Sequence, residues 1–272
     1  MDMRQAIGGR VRELVGSGEV DLTRPPGDDG LFGPDSVTWA VHGDFTSMMI
    51  GGVASLLVQM LHPAALAGVW DHSDYRHDTL GRLRRTAQFI SVTTYGATEA
   101  AEGMIARVRR IHDRVAGVLP DGRPYSANDP ELLLWVHAVE VDSFLRACRR
   151  YREPDMPVAR QDAYVREMAV IAERLGARDV PTSRAALTAY LDAMRPVLRV
   201  DHRTRLVARH LTNQPSPSRL NAPINHVMMQ AGIDLLPEWA ARLHGFIRPE
   251  IGKPVLRLGA LGVGRLMQWA LH

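Results

Sequence analysis

The chain has 272 residues, 46% hydrophobic and 23% charged. That fits one large domain or two small ones and excludes disordered, collagen-like and low-complexity chains. Its one cysteine, Cys148, excludes a disulfide framework, a cysteine-based zinc site and a Cys-x-x-Cys-His attachment. The net charge is +3 from 33 basic and 30 acidic residues, and Lys253 is the only lysine. So strong a preference for arginine marks the whole chain, which weakens any single arginine cluster as a functional signal. With aromatics at 6%, a stacking platform for single-stranded nucleic acid is not expected.

Helical periodicity dominates, and strand-like alternation is nearly absent. The opening segment MDMRQAIGGRVRELVGSGEVD lacks an apolar core and a small-residue cleavage site, so a cytoplasmic protein is expected. A short helix is predicted near Arg4–Val15, then a loop rich in Gly, Pro and Asp over Thr23–Pro34. A long helix is predicted from after Pro34-Asp35-Ser36 to about His62. From Phe45 to Trp70 there is no charged residue, long enough to span a membrane. The run also holds Gln59, His62, Pro63 and the glycines Gly51, Gly52 and Gly68, so a buried core helix that breaks at His62-Pro63 explains it better. A polar connector is expected over Asp71–Asp78. Further helices are predicted at about Thr79–Thr94, Thr98–Gly117, Pro130–Arg152, Val158–Leu175, Ser183–Arg195, Asp201–Thr212 and Pro237–Phe246. Asn213–Pro223 reads as a loop, and Pro254–His272 as an amphipathic helix docked on the body or resting on a membrane surface.

The punctuation has chemistry. Pro120-Asp121-Gly122-Arg123-Pro124 is a turn signal. Asn128-Asp129-Pro130-Glu131 is a helix start: Asp129 caps, Pro130 takes the first position, and Glu131 meets the positive end of the dipole. There is no internal repeat and no long linker. The expectation is therefore all-α: residues 1–33 form an N-terminal helix and loop, and residues 34–272 complete a single helical domain, about ten helices in all.

Three constellations could carry chemistry. On the Thr98–Gly117 wheel, Ala101, Ile105, Val108, His112 and Val115 share a face, opposite Arg107, Arg110, Asp113 and Arg114. His112 thus points inward, either as a hydrogen-bonded core histidine or as an imidazole ligand entering an apolar pocket. His62, His137 and His202 are alternative ligands. In Pro130–Arg152, Leu133, His137, Glu140 and Phe144 align, so an inward His and Glu sit one turn apart. They would bond each other, or Glu140 would pair with an arginine of another helix, or the two would support a ligand or relay protons. Third, Arg82 and Thr86 share a face with Arg85 beside them. This is either a solvated basic face or a set of donors at the mouth of an anionic site. Glu-x-x-His, His-Glu-x-x-His, Gly-x-Ser-x-Gly and a dinucleotide fingerprint are absent, which removes the di-iron, zincin, hydrolase-elbow and Rossmann readings.

Taken together, PDSVTWAVHGD, LLVQMLHPAALAGVWDHSDY, GRLRRTAQF, RVRRIHDRVAG, DGRPYSANDPELLLWVHAVEVDSFLRACRRY and, more weakly, YVREMAVIAERLG resemble the rubber-oxygenase and MpaB-like catalytic domain family. The likeness is strongest over residues 34–175. It implies a helical fold with a globin-like core and one non-covalent haem b, and it places the iron-ligating proximal histidine at His112. It also implies distal groups at Arg82, Arg85 and Thr86; His137 and Glu140, found on the helical wheel alone, join Arg82 and His112 as candidate cofactor-binding residues. Rubber-cleaving members carry a lysine where Arg85 stands, and a planar guanidinium acts differently from an ammonium. The implied activity is a haem-dependent oxygenase or peroxygenase using O2 or peroxide on a hydrophobic, isoprenoid-like alkene. Arg82 or Arg85 would stabilise charge developing on oxygen. The alternatives are a non-catalytic haem sensor or carrier, and a helical nucleic-acid module using Arg107–Arg114 and Arg146–Arg152. The distal groups favour turnover, and no nucleic-acid partner is expected.

Overall fold

The computed structural model describes residues 28–73, 78–213, 222–246 and 252–271. The helix expected near Arg4–Val15 lies outside them. Among the described residues the chain forms twelve α-helices, one 3₁₀ turn and one small hairpin. The helices are α1 (Val37–His42), α2 (Phe45–Gln59), α3 (Pro63–His72), α4 (Thr79–Tyr95), α5 (Thr98–His112) and α6 (Pro130–Tyr151). They continue as α7 (Val158–Leu175), α8 (Arg184–Met194), α9 (His202–Thr212), α10 (Ala222–Leu235), α11 (Glu238–His244) and α12 (Lys253–Leu271). The hairpin lies between α5 and α6. Its strands are β1 (Ala116–Val118) and β2 (Pro124–Ser126), antiparallel with Ala116 opposite Ser126 and Val118 opposite Pro124. Gly122 turns it at φ +86°, a backbone angle that suits glycine.

The architecture is all-α, as expected, with corrections in detail. The long helix expected up to His62 is two helices. Gly43 ends α1, and the Asp44 carboxylate restarts the chain by accepting from the Ser47 amide at 2.8 Å. The first turn of α1 is held by a residue from far along the chain. Glu167 accepts from the amides of Val37 and Thr38 at 3.2 and 2.8 Å and from the Thr38 hydroxyl at 2.7 Å. The helix expected to reach Gly117 stops at His112, and the hairpin takes over. Pro223 opens α10 rather than extending a loop, because a proline in the first turn forfeits no internal hydrogen bond.

The core is built on α2, which packs against α6 on one side and α10 on the other. Ile50, Leu57, Trp135, Ala138 and Ala231 are completely buried in it. The Trp135 indole donates to the Gln59 carbonyl at 3.2 Å, so even this buried polar atom is satisfied. Close approach needs glycine at Gly51, where a Cβ would lie 2.8 Å from Phe144 Cδ1. The uncharged Phe45–Trp70 run is thus folded into two helices bent by 103° at His62-Pro63, with α2 largely buried. No single helix among the described residues is long and apolar enough to cross a membrane. At the far side, the fully buried Asp234 carboxylate ties three helices together: Arg150 of α6 reaches it at 3.1 Å and Arg257 of α12 at 2.8 Å. α12 buries Ala260 against the body while Val255 and Leu258 face outward.

Candidate functional site

Two helices joined by a tight connection set the site. α4 ends at Tyr95 and α5 begins at Thr98, with only Gly96-Ala97 between, and the two pack together. Arg82 lies near the start of α4 and His112 ends α5. At about 1.5 Å of rise per residue both stand roughly 20 Å from the connection, at the same open end of the helical pair. Contacts close this end from outside. Arg82 Nη1 donates to Ser73 Oγ at 3.1 Å, just past α3. His72 Nε2 lies 3.0 Å from the Ala116 carbonyl of β1, and the Tyr125 hydroxyl of β2 donates to Asp71 at 2.8 Å. The end of α3, the hairpin, Arg82 and His112 therefore form one contiguous patch.

α6 starts at this patch. Asn128 Nδ2 donates to Asp113 Oδ1 at 2.7 Å and to the Arg109 carbonyl at 3.5 Å, both in the last turn of α5 or just after it. From there α6 runs towards the α4–α5 connection. His42 bridges Thr94 of α4 and Tyr164 of α7 at 2.8 and 3.0 Å, and Glu140 stands close enough to Tyr164 to raise its phenol further. His137 and Glu140 thus lie partway along the helical pair, between its open end and its connection.

Five of the residues singled out from the sequence share a signature. Burial pulls Arg82 and His112 down, takes His62 and His137 down to about 4 and pushes Glu140 up to about 7. Yet all five side chains keep accessible surface. The expected bond between His137 and Glu140 does not form, nor does a pairing of Glu140 with an arginine. Two ionisable groups deep in a protein, accessible but unpartnered, line a hollow rather than packed core. At neutral pH His137 is uncharged and Glu140 is poised near its midpoint, so the hollow offers a neutral imidazole and a carboxyl able to give or take a proton.

His112 stands as the wheel predicts, half-buried on the face that buries Ala101 and Ile105, while Ile111 beside it is 52% exposed. Its Nδ1 is sealed and without a hydrogen bond, whereas Nε2 is not sealed. His62, an alternative ligand, packs its ring 5.8 Å from that of Trp135, and His202 is exposed. Arg85 and Thr86 stand apart from the hollow. Arg85 is exposed and pairs with Asp78 at 3.1 Å, and Thr86 is exposed with its hydroxyl on the Arg82 carbonyl. Their spacing on the helix is as read, but the wheel turns only Arg82 inward. Among the described residues no cluster of three His, Cys, Asp or Glu could hold a bare metal ion.

Asn128 escaped the sequence reading except as part of a helix start. It is 16 residues from His112, and only the hairpin folds it back onto the end of α5.

A family model, the ER-bound oxygenase mpaB/B'/rubber oxygenase catalytic domain, matches residues 39–268. No curated protein and no solved structure matches the chain. The family match spans α1 to α12 and takes in Arg82, His112, His137 and Glu140, and on it the chain belongs to the mpaB/rubber oxygenase catalytic-domain family.

Proposed function

We propose that this chain is a haem-b-dependent oxygenase acting on a hydrophobic, alkene-bearing small molecule with O2 or peroxide as co-substrate. The observation that carries the reading is His112: an imidazole on an apolar helix face, with one nitrogen sealed and the other open. The residues present fit the group in their chemistry. An imidazole nitrogen is the usual protein ligand for haem iron, and the guanidinium at the same end of the helical pair suits a haem propionate or a polar oxygen.

His112 would hold the iron through Nε2. Haem b supplies the iron-centred activation of dioxygen or peroxide. The protein does the rest. Arg82 keeps its charge despite burial, because a guanidinium does not deprotonate in proteins, and it stabilises negative charge in the hollow. Glu140 exchanges a proton at its carboxyl oxygens near neutral pH. His137 stays neutral, adding a polar contact without a second buried charge. The helix face that carries His112 also carries the buried Ala101 and Ile105, which favours a substrate of low polarity.

The test is a hemin titration followed by visible absorption, for wild type and His112→Ala. A Soret band that saturates at one haem per chain in wild type and is lost or displaced in the variant supports the reading. A wild type that ignores hemin overturns it.

A further inference from the structure

Asn128 and His112 each bury a polar atom with no hydrogen bond of ordinary geometry: Oδ1 on the amide and Nδ1 on the ring. The orientation of the amide is fixed. Its nitrogen donates to two acceptors that flank His112 in sequence, the Arg109 carbonyl and Asp113 Oδ1. Flipping it would set a carbonyl oxygen against two other oxygens, so Oδ1 points the other way. Those two acceptors bracket His112 in the last turn of α5, so the amide is seated against the turn that carries the ring, and Oδ1 is the acceptor it leaves over.

We infer that Asn128 is a positioning residue that accepts the Nδ1 proton of His112, fixes the ring tautomer and leaves the Nε2 lone pair free. The inference rests on the haem reading for its purpose, but not for its geometry. A neutral imidazole carries one proton, and whichever nitrogen keeps it cannot ligate a metal. Two buried, unmet polar atoms on neighbouring groups are costly apart, and each satisfies the other when they meet. The arrangement has the form seen behind metal-bound histidines generally, where an acceptor on the far nitrogen orients the ring and raises its basicity. The anchor is unusually definite here. A 22-residue helix begins two residues after Asn128, and the amide clasps the end of the helix that carries the ligand, so α6 sets the angle of the ring on α5.

The test has two arms on the full chain. In the first, without haem, nitrogen NMR of the histidine rings reads the tautomer of His112, assigned by its loss in His112→Ala. Wild type is expected in the Nδ1–H form. Asn128→Ala, which removes the acceptor, shifts the ring to a mixture or to Nε2–H. In the second arm, hemin-loaded proteins are compared for the rate of haem loss to an excess of a competing apoprotein and for the ferrous iron–histidine stretching band. Asn128→Ala is expected to lose haem about 10-fold faster or more and to lower the stretching frequency. Circular dichroism checks that each variant is folded. An unchanged tautomer in folded Asn128→Ala overturns the inference whether or not haem binds. If the tautomer responds but wild type never takes hemin, the haem reading fails while the Asn128–His112 bond stands.

Discussion

Arg82 and Ser73 are joined side chain to side chain, Nη1 to Oγ at 3.1 Å, across a stretch of chain that links α3 to α4. The bond does two things. It satisfies one of five guanidinium donors in a half-buried setting, and it fixes the direction in which the others point. Arg82 is thereby distinguished from Arg84 and Arg85, which stand on the exposed side of the same helix.

From this follows a prediction for the guanidinium. In hemin-loaded protein, Arg82→Met, which keeps an unbranched apolar stem and removes the charged head, retains a Soret band. It is expected to lower peroxide-driven oxidation of a general dye by about 100-fold, the scale on which a preorganised charge donor acts. Ser73→Ala, which leaves the charge but frees its direction, lowers it only a few-fold. Initial rates at matched haem occupancy measure both. Equal rates for Arg82→Met and wild type would remove Arg82 from the chemistry.

A second prediction concerns the crossing of α2 and α6. A methyl group at Gly51 would sit 2.8 Å from Phe144 Cδ1 and 3.1 Å from the Ser143 carbonyl. Phe144 is 2% exposed and cannot swing clear without disturbing its neighbours. Gly51→Ala is therefore expected to destabilise the protein by about 1–3 kcal/mol, outweighing the gain in helix propensity of about 1 kcal/mol. Chemical denaturation gives the number, and a neutral or stabilising result would show that the two helices can part.

The sequence carried some features to the structure and concealed others, for identifiable reasons. Val158–Leu175 is read to its ends because Pro157 precedes it and Gly176 takes a left-handed φ of 114° to stop it. Pro130 and Asp129 announce α6 equally well. The break at Gly43-Asp44 was concealed because apolar residues continue on both sides, so the cap is outvoted by composition. The strands of the hairpin have three residues each, too few for alternation to register. At the site, wheel position alone turned His112 inward and placed His137 beside Glu140. That the last two remain unpartnered is a matter of what α4, α5 and α7 present to them, which no local pattern records.

A third prediction tests the polar tie between α1, α4 and α7. His42 is buried and held neutral, its pKa lowered to about 3 by burial, and both ring nitrogens are met by hydroxyls: Nε2 lies 3.0 Å from that of Tyr164 and Nδ1 2.8 Å from that of Thr94. Tyr164→Phe leaves Nε2 unmet in the core and is expected to cost about 1–3 kcal/mol. Thermal unfolding at pH 7 measures it. Because the folded ring titrates below its ordinary value, its contribution is fully present above about pH 6.5 and is lost as pH falls towards 3. Acid sensitivity in this range is therefore expected of wild type, and His42→Gln should reduce it.

The last prediction runs the opposite way in pH. Glu140 has a folded pKa of about 7, above the ordinary 4.5, because burial disfavours its charged form and no partner offsets this. Between these values the folded state binds more protons than the unfolded state, so raising the pH through this window withdraws stability. At pH 8 the deficit is up to about 3 kcal/mol, and near pH 4.5 it vanishes. Glu140→Gln, neutral at every pH, is therefore expected to raise the melting temperature at pH 8 and to match wild type near pH 4.5. A series of melting curves from pH 4.5 to 8.5 measures the crossover. If the two proteins differ by a constant amount across the series, Glu140 is not held in an unpaired, buried state, and the hollow it is said to line is differently built. If the gain appears as expected and turnover in hemin-loaded protein also falls, the instability of wild type is a cost borne for a proton at that position.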